Sequence, residues 1–210
     1  MKKTISIFLC VCLLLTGAVG CAKKPEKTLT AAGAVANLLD ALTNLDFAEA
    51  SKYTNVRQII EFNEDGTLNE STSRYTTAFF PKLEYSIQVV NEVDEDTVFV
   101  TLTITAVDMT PVMEAFVSNL MMEIMMNEMD GVTVTEEQAD QRALRVFDSI
   151  IAEGTFKTVT TTVDLEVEKR DDQWYVYVTE SLNEALTGGI TAAMDNAQKL
   201  LEVDETEVNQ

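Results

Sequence analysis

Apolar positions recur first at helical and then at strand spacing along this chain, and the change of period divides it into elements. From Thr30 to about Leu45, Val35, Leu38, Leu39 and Leu42 fall on one helical face, with Thr30 as N-cap. Asp46 opens a second short helix through Phe47, Ala50 and Tyr53, and a turn or two over Val56 to Phe62 leads into Asn63-Glu64-Asp65-Gly66. Tyr85, Ile87 and Val89 then alternate with Ser86 and Gln88. Beyond Asp94-Glu95-Asp96, Val98, Val100, Leu102 and Ile104 alternate with threonines, which predicts a hairpin. A second hairpin is predicted where Val159, Thr161, Val163, Leu165 and Val167 alternate with polar residues, turn at Arg170-Asp171-Asp172-Gln173, and return through Trp174, Val176 and Val178.

Between the hairpins the period is helical again. Val112 to Met129 predicts one helix, and Thr135 caps another over Glu136 to Glu153 that stops at Gly154. Ala139, Ala143, Val146, Phe147 and Ile150 make the second helix's single apolar stripe. Ser181 is read as the cap of a helix through Leu186, broken at Gly188-Gly189 and resumed from Ile190 to Leu201. Each hairpin has one apolar face that helices must cover, so the fold class is α+β. N-terminal helices pack on a curved antiparallel sheet of about four strands, with an inserted helical pair at 112–153 and a C-terminal helix. With no internal repeat or linker, residues 30–201 are expected to form a single domain, followed by an acidic tail at 202–210.

Composition narrows the chemistry. The 210 residues include no His, which excludes imidazole bases, Ser-His or Cys-His nucleophiles and His-ligated metals. Fifteen Lys and Arg face 35 Asp and Glu, a formal charge of -20, which argues against a nucleic-acid partner because phosphate binding needs a basic footprint.

The N-terminus carries an address. Lys2 and Lys3 precede an apolar run from Ile5 to Leu15, too short to span a bilayer, and Ala18-Val19-Gly20-Cys21 follows. The order resembles the signal and lipobox of bacterial lipoproteins, with Ala18 where Leu is commonest. The resemblance implies a signal peptide at 1–20, cleavage between Gly20 and Cys21, and lipidation of Cys21, which leaves the folded part without a thiol or disulfide. Lys23, Lys24 and Lys27 then form a basic tether at 21–29, attracted to anionic headgroups, while from residue 28 onward ten Lys and Arg stand against 34 Asp and Glu and hold the body off the membrane.

Candidate sites are sparse. Glu61-x-Asn63-x-Asp65-Gly66-Thr67-x-Asn69 is similar to the first nine places of a calcium-binding EF-hand loop, but Glu61 stands first and Thr72 twelfth, and a plain Asp-Gly turn explains the same residues. Asp40, Asp108, Tyr53, Tyr85, Tyr175 and Tyr177 supply acid-base groups that no motif assembles. Trp174 is expected to anchor the core of the last strand. In the Met-rich helix, Met113, Phe116, Val117, Leu120 and Ile124 share one face, and Met122, Met125, Met126 and Met129 share the opposite one. The second face is expected to be buried under another layer. The alternatives are an apolar ligand or partner surface, or a thioether copper site. No catalytic residue, metal site or cofactor is assigned.

The alternating strand Thr158–Val167, the acidic turn at Asp171-Asp172 and Trp174, after N-terminal helices, resemble the nuclear-transport-factor-2-like, cystatin-like α+β cone. Members range from enzymes to empty scaffolds, so fold does not supply function. The expectation is a membrane-anchored extracytoplasmic lipoprotein acting as a non-catalytic module for an apolar ligand or an envelope protein. The rival is a pocket enzyme using an Asp/Tyr pair, and a purely structural envelope role is third. A deep polar pocket with a buried carboxylate would favour the enzyme, a dry Met-lined cleft the binding module, and a filled cone the structural role.

Overall fold

The computed structural model describes residues 30–129 and 134–207, so the signal segment, Gly20, Cys21 and the tether lie outside the described residues. Its elements are α1 (Ala31–Thr43), α2 (Phe47–Ala50), a 3-10 turn at Val56–Gln58, α3 (Glu70–Phe79), a second 3-10 turn at Phe80–Lys82, β1 (Glu84–Glu92), β2 (Thr97–Val107), α4 (Met109–Met129), α5 (Glu136–Glu153), β3 (Thr158–Arg170), β4 (Gln173–Val176), α6 (Glu180–Leu186) and α7 (Ile190–Glu207). The strands form an open, curved antiparallel sheet in the order β1-β2-β3-β4, which with its helices gives the expected α+β class.

Local chemistry explains most boundaries. Thr30 accepts a hydrogen bond from the Gly33 amide, Asp46 caps α2 through Glu49, and Thr135 forms a reciprocal capping box with Gln138. Gly154, at φ 71, closes α5 in the left-handed conformation that costs glycine least. Asp171 and Asp172, at φ 48 and 62, make the two-residue turn between β3 and β4, whose handedness matches the strand twist.

The apolar side of the sheet is filled. Val98, Val100, Leu102 and Ile104 of β2 and Val163, Leu165 and Val167 of β3 are buried with Val35, Leu38 and Leu42 of α1, Val176, Leu182 and Leu186. Burying each such side chain contributes about 1.5–3 kcal/mol. The opposite side is mostly polar, with Thr105 and Thr160 sharing a hydrogen bond at 2.7 Å. The outer edge of β4 is covered, because the Val176 amide donates to the Tyr53 carbonyl at 2.7 Å and Thr54 donates to the Val176 carbonyl at 2.7 Å. A second cluster gathers Phe79, Val107, Met109, Val112, Val146, Ile150 and Ala193 where α4, α5 and α7 meet the end of β2.

Several expectations are corrected. Val89 faces solvent at 47% exposure, because a bulge between Ile87 and Val89 slips the pairing by one residue and moves Val89 to the Thr101 side. Val159 lies near the start of β3, beyond the covered face, and is also exposed. Trp174 packs against the core as expected but is only half-buried, because β4 is the short edge strand, and its enclosed residue is Val176. The strand stops before Val178. Thr179, not Ser181, caps α6, accepting from the Leu182 amide at 3.2 Å. α7 runs on past Leu201 to Glu207, and Ala139 stands exposed at the uncovered start of α5.

Candidate functional site

α3 was not anticipated, and it builds the site. Its sequence, ESTSRYTTAF, has few apolar residues, but Asn69 caps it by accepting from the Thr72 amide at 2.7 Å, and Tyr75 and Phe79 fall one turn apart on the inner face. Tyr75 meets Phe79 at 5.2 Å in a tilted pair and Phe80 at 6.0 Å edge-on. Phe79 meets Phe147 of α5 at 6.2 Å, and Phe147 meets Phe116 of α4 at 6.2 Å, so one aromatic chain joins the sheet core to the helical pair. Arg74 fastens the flank of α3 by pairing with Glu70 at 2.6 Å and with Asp148 of α5.

Above this chain opens a cleft of about 860 Å³ between α3, the helical pair, the start of α7 and the segment at Ile59–Glu61. Ile60, Tyr75, Phe80, Met113, Phe116, Leu144, Phe147, Ile190 and Met194 give it an apolar lining, and its charged lining residues are Glu61, Glu70, Glu137 and Asp140. All four acids are solvent-exposed, so the carboxylates form a rim rather than a buried catalytic pair. The Tyr75 hydroxyl donates to the Thr187 carbonyl at 3.1 Å, and burial, with Glu184 nearby, pushes its pKa upward.

The acid-base candidates read from the sequence do not converge here. Tyr85 lies 2.7 Å from Asp40 and 3.2 Å from the Ala36 carbonyl, where burial and then the Asp40 carboxylate push its pKa up to about 12. Tyr53 donates to Glu49 at 3.1 Å. Tyr175 and Tyr177 flank Arg170, which lies 4.7 and 4.9 Å from their ring centres, and Asp108 accepts from the Thr110 amide at 3.0 Å. None of these six residues lines the cleft. In the loop similar to a calcium site, Asp65 instead accepts from the Thr67 amide and hydroxyl at 2.9 and 2.6 Å, as a turn requires. Among the described residues, no group of three or more His, Cys, Asp or Glu is placed to hold a metal ion.

The methionine face is not buried as expected. Met122, Met125, Met126 and Met129 are 59, 61, 61 and 86% exposed, and Ile124 on the other face is 49% exposed. The first half of α4 is clamped through Met109 and Val112 in the second core, whereas these residues of the second half face solvent. The cleft uses Met113 and Phe116 from the first half instead. The sequence signals that mark the cleft are the Asn69 cap and the Tyr75/Phe79 pair, both hidden in a threonine-rich stretch without an apolar stripe.

Comparison with known proteins adds a likeness of fold. No family model matches the chain, and no curated protein matches it. The chain is similar to the crystal structure of "a putative lipoprotein (ycdA)" from Bacillus subtilis, with TM-score 0.50 and 19% identity over 76% of this chain and 56% of that one. The chain thus spans little more than half the length of that protein, and at this identity the likeness concerns the fold alone. A second solved structure, "AclR a putative hydroxylase" from Streptomyces galilaeus, aligns over 76% of this chain and 85% of that one at TM-score 0.31 and 14% identity, too distant to carry an argument. Among the described residues, no helix is long and apolar enough to cross a membrane.

Proposed function

We propose that the protein is an extracytoplasmic lipoprotein, anchored by lipid on Cys21, whose body is a non-catalytic binding module that takes an apolar ligand in the cleft between α3, α4, α5 and α7. The observation that carries this reading is the cleft itself. About 860 Å³ of apolar, partly methionine-lined space with exposed acids only at its rim suits capture better than proton transfer. The apolar face of the sheet is filled, so the accessible space lies among the helices and the reading rests on that cleft alone. A nuclear-transport-factor-2-like, cystatin-like ancestry for the sheet and α1 belongs to this proposal, with the helical pair as the addition that creates the cleft. The fold likeness to the Bacillus protein is consistent with the lipoprotein part.

Two experiments test the two halves. Cys21→Ser is expected to release the protein from the membrane fraction while its circular dichroism stays unchanged, and equal membrane retention of variant and wild type would refute the anchor. Native mass spectrometry of protein purified from its own cells is expected to show a retained adduct that is lost in Phe147→Glu, whereas adducts indifferent to that change would refute the cleft as the binding site.

A further inference from the structure

Any surface of so acidic a chain carries carboxylates, so the acids at the rim do not by themselves mark a site. What distinguishes the cleft is how its walls dispose of their cations. α3 and α5 carry Arg74, Arg142 and Arg145, yet no Lys or Arg lines the cleft. Arg74 is turned onto Glu70 and Asp148, and Arg142 and Arg145 line an adjoining depression on α5 that shares Glu137 and Gln141 with the cleft. Glu61 and Asp140 remain on the rim without an ion pair among the described residues. The rings of Tyr75, Phe80, Phe116 and Phe147 line the same cleft. Aromatic faces attract a cation through their quadrupole, and carboxylates at the mouth of a low-dielectric cleft focus the same preference.

Resting on the reading of the cleft as a binding site, we propose that its ligands are small organic cations: molecules with an apolar body that lies on the aromatic floor and an ammonium head that faces Glu61 and Asp140. The cleft volume of about 860 Å³ lies within the range of small-molecule sites and is large enough for a drug-sized body. The rim does not neutralise an anionic head, so fatty acids and other amphiphilic anions are selected against.

The test compares three probes of equal chain length, octyltrimethylammonium, 1-octanol and octanoate, each below its micelle concentration. They are titrated into the purified protein carrying 13C-methyl methionine. The methyl resonances of Met113 and Met194, which line the cleft, report occupancy, and that of Met129, on the distal part of α4, serves as control. The expected result is saturable shifts at Met113 and Met194, with octyltrimethylammonium binding at least about tenfold more tightly than octanoate and 1-octanol between them. The double variant Glu61→Gln/Asp140→Asn, at two exposed positions, should narrow the gap while leaving 1-octanol unchanged. Equal affinity for all three probes would overturn the cation preference and leave the apolar site standing. No shift at Met113 or Met194 with any probe would overturn both. A cation preference that survives the double variant would show that these carboxylates are not its source and overturn the proposal.

Discussion

Gly188→Ala is the substitution whose cost the structure specifies most completely. Gly188 is buried at the junction of the second core, with φ +62, and its carbonyl accepts the Met109 amide at 3.0 Å, linking the α6–α7 connection to the first turn of α4. A Cβ built there falls 1.7 Å from the Val107 carbonyl oxygen and 2.8 Å from its carbon, so backbone must move. The left-handed conformation alone costs a non-glycine residue about 1–2 kcal/mol. Overpacking adds about 1–3 kcal/mol, and losing the bond to Met109 as the chains part adds about 1 kcal/mol. The expected loss is therefore about 4 kcal/mol, a large part of a typical domain's 5–15 kcal/mol. Gly189 provides the matched control. Its φ is +78, but the Cβ there would meet only the flexible end of Glu184 at 3.9 Å, so Gly189→Ala should pay the backbone term alone, about 1–2 kcal/mol. Urea denaturation followed by circular dichroism measures both, with unchanged slopes required for the comparison. Equal losses in the two variants, or a Gly188→Ala loss below about 2 kcal/mol, would refute the claim that contact with Val107 rather than φ dominates.

Three further outcomes follow from exposure and charge. Met122→Gln/Met126→Gln should change stability by less than about 0.5 kcal/mol, since both side chains already face solvent, and a loss of several kcal/mol in urea would mean that the face is covered in solution. Trp174→Ala should cost about 2 kcal/mol, less than the roughly 3–5 kcal/mol of an enclosed ring, because the indole is only half-buried; a loss in the upper range would restore it as a core anchor. Tyr85 has a folded pKa raised to about 12, so its contribution is fully present below the ordinary tyrosine value near 10 and is lost as pH rises from there toward 12. Tyr85→Phe should flatten that part of the stability–pH curve, and an unchanged alkaline slope would contradict the shielded hydroxyl.

The extent to which the fold was legible differs from element to element. Caps and turns are local chemistry, so Thr30, Asp46, Thr135, Gly154 and the Asp171-Asp172 turn marked their boundaries correctly. Alternation over Val98–Ile104 and Val163–Val167 identified the buried side of the sheet because one face of each strand had to leave water. Val89 was misplaced because a one-residue bulge inverts every later position, and nothing in an alternating run announces the slip.

Periodicity shows that a residue has an apolar neighbour on its own helix, but not whether another element arrives to cover it. Two apolar faces on α4 suggest burial for Met122, Met125, Met126 and Met129, whereas the helix turns that face to solvent. The cleft illustrates the same limit. Ile60, Tyr75, Phe116, Phe147 and Met194 come from five separate segments, and none carries a signature of the others. The sequence alone determined the hairpins, the caps at Thr30, Asp46 and Thr135, the helical pair and the acidic character of the chain, because each depends on residues a few positions apart. Only the tertiary structure decided that α3 exists to seat Tyr75 and Phe79 against α5, and that the space left above them is apolar with carboxylates at its mouth. Long-range packing determines which surfaces meet and which remain open, and residue spacing along one element does not encode that choice.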